Sequence, residues 1–348
     1  MEIEEFAGKK SLVLAVDMYG CPNRCRHCWL GNMPNKKMNP QDDAFIMDYF
    51  RPFFKNIAFY SWIREPDYCD DYRHRWRRDN DISVGIRPQR FELASFYRLV
   101  RDKDYVKFLK EVDTKIVQLT FFGLESLTDK YIGRKGAYTE LLTATDILLQ
   151  NGIVPRWQAF INEENRDEMI SLLRVAENLR LKERCENIGG KFTFFIHSGS
   201  CDGENYKLYS KRITRASVPQ EIIPYFINFD KNETEAELCG RLLTDDSYLS
   251  FAYGDTVVLY ISNTFDVYFN FTHMKPDWVI GNLYKDSPEE LMYKIINKKV
   301  KALEEARQIT IGELVSRYGD KQSQKLFEAS DYKIYLLLRH LEALNKNK

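Results

Sequence analysis

The sequence has no net charge, no apolar stretch of membrane-crossing length and no even set of cysteines. Lys plus Arg and Asp plus Glu both number 51 in 348 residues, so there is no global field to hold a nucleic-acid backbone or an anionic membrane. No apolar run approaches the ~20 residues that a bilayer requires. The opening MEIEEFAGKK is acidic, then basic, with no apolar h-region or small-residue cleavage site before Ser11, a pattern unlike an export signal. These absences predict a soluble cytoplasmic protein with no nucleic-acid or membrane partner. The cysteine count is seven, and three of them fall within eight residues. That suits a reduced chain holding a metal better than a disulfide-stapled secreted one. No internal repeat or low-complexity tract is present.

What is present is a large potential core, with 44% hydrophobic and 14% aromatic residues, enough for one large domain with an appendage or for two. Short apolar runs predict strands at 11–17, 56–61, 82–86, 116–122, 153–161 and 191–197. Three- and four-residue apolar spacing predicts helices at 44–54, 90–112, 127–151 and 167–181, the third of these stopped by Asn151-Gly152. Strand–helix alternation over about 200 residues implies parallel strands with right-handed crossovers, hence a partial or complete β/α barrel with its chemistry at the strand C-termini. Beyond residue 197 the pattern changes to a loop-rich stretch. A small antiparallel meander is then predicted at 248–253, 257–261 and 267–271. Helices follow from Ser287-Pro288-Glu289-Glu290, an N-cap with proline at the first helical position.

The sharpest motif is Cys21-Pro-Asn-Arg-Cys25-Arg-His-Cys28, directly after the first strand. Three thiolates in a short loop can reach three corners of a [4Fe–4S] cube, leaving one iron open to substrate or cofactor. Zinc on Cys25-x2-Cys28 is the alternative. A structural zinc wants four ligands, however, and Cys69, Cys185, Cys201 and Cys239 are scattered singly.

A C-x3-C-x2-C loop after strand one of a β/α barrel resembles the radical S-adenosylmethionine (radical SAM) superfamily, over about residues 10–200 and more weakly to about 295. The resemblance implies an α/β fold: a partial (β/α)6 TIM-like barrel at residues 1–205, then a small C-terminal α+β cap at 206–348. It implies a [4Fe–4S] cluster on Cys21, Cys25 and Cys28, with S-adenosylmethionine chelating the open iron and cleaved reductively to a 5′-deoxyadenosyl radical that abstracts hydrogen from substrate. An electron donor of flavodoxin or ferredoxin type is implied as well. His27 stands where that family usually has an aromatic, and Trp29 is the expected replacement. Glu65-Pro66 matches the segment that binds the methionyl amine. Glu125-Ser126 and Arg134 resemble a ribose- and carboxylate-binding pair, and Gln158 falls at a further ribose position.

Other candidates are weaker. The charged, aromatic stretch from Pro66 to Asp81, with Tyr68 and Arg73, together with Arg87 and Arg156, suggests a rim for a polar or anionic substrate. His197 ends a strand, and Cys239 is a possible hydrogen donor. The stretch around Cys239, 256–270 and 280–291 resembles the SPASM/twitch extension of peptide- and sugar-modifying radical enzymes, degenerate here because a single cysteine remains and Asn270 occupies a ligand position. The first reading is hydrogen abstraction from a small molecule or natural-product intermediate. Modification of a ribosomally made peptide is the second, and a non-catalytic iron–sulfur or zinc-binding regulator the third.

Overall fold

The computed structural model describes residues 3–269 and 275–346. Asn270 and the end of the strand expected at 267–271 lie outside the described residues. Strands β1 (Ser11–Val16), β2 (Ile57–Tyr60), β3 (Ile116–Phe121), β4 (Val154–Phe160) and β5 (Thr193–His197) match five of the six predicted in the first 200 residues. They are aliphatic and aromatic runs, and all neighbouring pairs among them are parallel. They fall into two sheets, β2-β1 with later strands and β3-β4-β5. The fold is thus mixed α/β, and no closed barrel is formed among the described strands.

The sixth expected strand, 82–86, is not one. A helix, Tyr72–Ile82, runs through the charged segment and ends at Ser83. Val84 then makes a single antiparallel bridge to Ile57. The apolar alternation of Ile82, Val84 and Ile86 reads as strand, but only Ile82 of the three is buried, and it belongs to the helix. The predicted helix at 90–112 is likewise two, Phe96–Arg101 and Tyr105–Glu111, and that at 127–151 is Glu125–Ile132 and Ala137–Gln150. Gly133 and Gly136, at φ +75° and +81°, turn the chain between the last two.

The C-terminal part is knitted into the first sheet. After the two-residue β6 (Glu233–Thr234), β7 (Thr256–Ile261) pairs in parallel with the whole of β1, and β8 (Asp266–Tyr268) and β9 (Val279–Asn282) continue from it antiparallel. Residues 248–253 form no strand, only a bridge from Tyr248 to Thr310. The helix after Ser287 is Pro288–Ile296, with Ser287 at the expected N-cap and Glu290 completing a capping box. The tail helices Ile311–Tyr318 and Ala329–Lys346 bury leucines against one another, and β10 (Leu326–Phe327) pairs with β6 between them.

Candidate functional site

The Cys21–Cys28 loop leaves the C-terminal end of β1 and is pinned from three sides. The amides of Arg24 and Arg26 donate to the carbonyls of Ile132 and Tyr131 at 3.0 and 2.8 Å, at the end of helix Glu125–Ile132. Arg134 Nε donates to Asn23 Oδ1 at 3.0 Å. From the far side, the segment after β5 closes on the loop, with the Glu204 amide donating to the Cys28 carbonyl at 2.7 Å. Gly203, at φ +52°, permits this approach, since a Cβ there would press on the carbonyls of Cys28 and Trp29.

Beneath the loop, β2 leads into Ser61–Pro66. Arg64 clamps Asp17, the residue after β1, in a bidentate pair at 2.7 and 3.3 Å, and donates to the Met33 carbonyl at 2.6 Å. The clamp fixes the neighbouring Glu65, which faces the thiols: its Oε2 lies 3.9 Å from Cys21 Sγ. Its Oε1 is buried with no hydrogen-bond partner. Burial pushes the Glu65 carboxyl up to about 7, with Ser95 opposing. All three thiols are pushed up by burial too.

Two chambers open here. The inner one, ≈ 390 Å³, is lined by Cys21, Cys25, Cys28, Glu65, Trp62 and Tyr260 of β7, among others. The outer one, ≈ 600 Å³, runs from the strand ends to Asn232, Glu328 and Asp331. They share His27, Trp29, Leu93, Gln118 and Thr120. His27 packs its ring on Phe122 and Phe160, with centroids at 4.3 and 4.5 Å, and burial pushes it down to about 3. It therefore does the packing expected of Trp29, which is 41% exposed at the chamber edge.

The donor set suits the cluster expected from the sequence. It offers three half-buried thiols, one of which, Cys21, accepts from the Asn23 amide at 3.4 Å, and an unsatisfied carboxylate oxygen in the same cavity. Among the described residues no three of His, Cys, Asp and Glu are grouped for a single metal ion. A cubane takes each thiolate on a different iron and so asks for a wider spacing.

Other expected residues lie elsewhere. Glu125 and Ser126 are exposed at the start of helix Glu125–Ile132, because β3 ends at Phe121 and the chain has already turned outward. The interior-facing residues of β3 are instead Gln118 and Thr120, two positions sequence reading missed although strand alternation marks them. Arg134 stays at the cysteine loop through Asn23, with its guanidinium also paired with Glu140 at 2.6 Å and stacked near Phe96 and Tyr97. Gln158 does face the outer chamber, hydrogen-bonded to Gln118 and His197. His197 also accepts from the Gly199 amide at 3.2 Å, and burial pushes it down to about 4, so it is a neutral, fully engaged wall residue. Arg156 pairs with Glu92 and donates to Gln118 Oε1 at 2.8 Å.

The arginine rim dissolves into ion pairs. Arg73 pairs with Glu111 on the outer surface and Arg87 is exposed; neither lines a chamber. Arg90 clamps Asp67 at 2.6 and 3.0 Å, and Arg75 and Arg78 share Asp43. Tyr68 stands outside both chambers, edge-on to Tyr97. Cys239 is buried among the tail helices with its Sγ 3.1 Å from Tyr332 Oη, and it reaches neither chamber.

The chain is similar to solved structures of SuiB and anSMEcpe. SuiB of Streptococcus suis bound to precursor peptide SuiA is 12% identical with a TM-score of 0.46, covering 82% of this chain and 65% of that one. The chain thus spans just under two thirds of SuiB. Native anSMEcpe with bound AdoMet is 12% identical with a TM-score of 0.48, covering 97% of this chain and 98% of that one. Native anSMEcpe with bound AdoMet and Cp18Cys peptide gives 12% and 0.48. Neither a family model nor a curated protein matches the sequence. Among the described residues no helix is long and apolar enough to cross a membrane.

Proposed function

We propose that this chain is a radical SAM enzyme whose inner chamber holds a [4Fe–4S] cluster and S-adenosylmethionine and whose outer chamber holds a small-molecule substrate. The observation that carries the reading is the convergence of Cys21, Cys25, Cys28 and the unpartnered Glu65 oxygen on one buried cavity at the C-terminal end of β1. Cys21, Cys25 and Cys28 are the cluster ligands in this reading. When bound, the cluster supplies one electron that splits S-adenosylmethionine into methionine and a hydrogen-abstracting 5′-deoxyadenosyl radical.

The chain's own residues bind, orient and exclude water. Glu65 is held in want of a positive donor, and an ammonium group meets that want. Arg64 and Asp17 keep it aimed. Gln118 and Thr120 at the junction of the chambers, and Gln158 in the outer one, present amide and hydroxyl groups suited to sugar hydroxyls in place of Glu125. His27, Phe122 and Phe160 form a dry wall beside the thiols. The outer chamber's ≈ 600 Å³ is within the usual range for a small-ligand site. Its outer wall comes from Phe226, Asn232, Glu328 and Asp331, which supports residues 206–348 as a cap over a core at 1–205.

The test is anaerobic reconstitution with iron and sulfide, then dithionite and S-adenosylmethionine. About four irons per chain and formation of 5′-deoxyadenosine are expected, both lost on Cys21→Ala, Cys25→Ala or Cys28→Ala. A stable chain that takes up zinc and yields no 5′-deoxyadenosine refutes the reading and favours the regulator.

A further inference from the structure

The outer chamber has a one-sided electrostatic character. Its outer wall carries Asp202, Glu328 and Asp331, and no lysine or arginine lines it among the described residues. Arg212 is the buried cation whose charge Asp331 feels. Its guanidinium is directed at the Leu326 carbonyl, Ser198 Oγ and the face of Phe327. Asp331 and Glu328, the latter accepting from Asn228 Nδ2 at 3.3 Å, thus bring negative charge to a wall with no cation in its lining among the described residues.

A second observation agrees. Asn232, only 2% exposed, spends its Nδ2 on the Asn228 carbonyl at 2.8 Å. Its Oδ1 is buried with no partner, and the residue lines the chamber. Leaving a buried carbonyl oxygen without a donor is unfavourable, and the arrival of a donor relieves it. Carboxylates and a bare amide oxygen all ask for N–H donors. Trp29, Phe160 and Phe226 add aromatic surface to the same chamber, a surface that tolerates a cation.

We infer that the outer chamber receives a positively charged nitrogen group of the substrate, an alkylammonium or guanidinium, held by Asp331, Glu328 and Asn232 Oδ1. The inference rests on the reading of this chamber as the substrate site. It replaces the polar or anionic substrate expected from the arginine-rich segment, where Arg73, Arg75, Arg78 and Arg90 are paired with Glu111, Asp43 and Asp67.

Calorimetric titration of the purified chain with agmatine, glutarate and 1,5-pentanediol tests it. Agmatine is expected to bind one molecule per chain, with affinity reduced about tenfold or more in Asp331→Asn and again in Glu328→Gln. Glutarate and the diol are expected to give no binding. Glutarate bound in place of agmatine overturns the inference, as does no agmatine binding at millimolar concentration. Unchanged agmatine affinity in the double variant overturns it too, and so does an equal loss in Glu186→Gln, an exposed carboxylate on another helix. Iron content and 5′-deoxyadenosine are read separately. A chain that binds agmatine but holds no iron loses the cofactor reading alone, and one that cleaves S-adenosylmethionine but prefers glutarate loses this inference alone.

Discussion

Replacing Arg64 by methionine removes the cation that holds the β1 end to the Glu65 segment while keeping much of the side-chain volume. The side chains of Arg64 and Asp17 are 3% and 1% exposed, so Asp17 is left as a buried carboxylate without its counter-ion. The Met33 carbonyl loses its donor as well, while that of Pro34 keeps Asn263 Nδ2 at 3.1 Å. Breaking a buried pair on one side costs about 3–5 kcal/mol. Unfolding entropy of about 2.1 cal/mol/K per residue over 348 residues makes about 0.7 kcal/mol/K, so Tm should fall by about 4–7 °C. Asp17→Asn with Arg64→Met should recover about half of that, because no buried charge is stranded. Scanning calorimetry of the single and double variants reads both numbers. A single variant within about 1 °C of the parent, or a double variant no better than the single, refutes the account of how Glu65 is positioned.

Gly203→Ala should cost about 1–3 kcal/mol and lower the iron retained after reconstitution, since the left-handed turn and the Cys28 carbonyl leave no room for a methyl; full iron content would show that the closing segment is not needed. Burial pushes Asp79 up to about 7. The folded chain therefore keeps that proton over a range where the unfolded chain has released it, and stability falls as pH rises from about 4 to about 7. Asp79→Asn should flatten this slope in urea midpoints measured across the window, and an unchanged slope would assign it to other groups. Cys239→Ala should lose about 1–2 kcal/mol with its bond to Tyr332 yet keep 5′-deoxyadenosine formation. Loss of that product at unchanged stability would place the thiol in the chemistry after all.

The sequence made the cysteine loop and five of the core strands legible, because each is a local pattern: an apolar run, then three thiols at short spacing. Glu125 was misplaced because a spacing counts residues along the chain, whereas the turn after Phe121 decides which side of the sheet it faces. The arginine segment was misread for a different reason. Arg90 finds Asp67 23 positions away and Arg75 finds Asp43 32 away, pairings that only the folded chain brings together. The acidic outer wall draws on Asp202, Asn232, Glu328 and Asp331, which no window of sequence contains.

The position of β1 between β2 and β7 has a consequence for synthesis. The strand that ends in the cysteine loop lacks one neighbour until β7 emerges, about 240 residues later. At 5–20 residues per second the ribosome needs roughly 10–50 s to supply it. Tyr260 and the segment around Gly203, which wall the loop in, also arrive after it. The thiols are therefore born exposed, open to metal or oxidant until the segments that wall them in have been made.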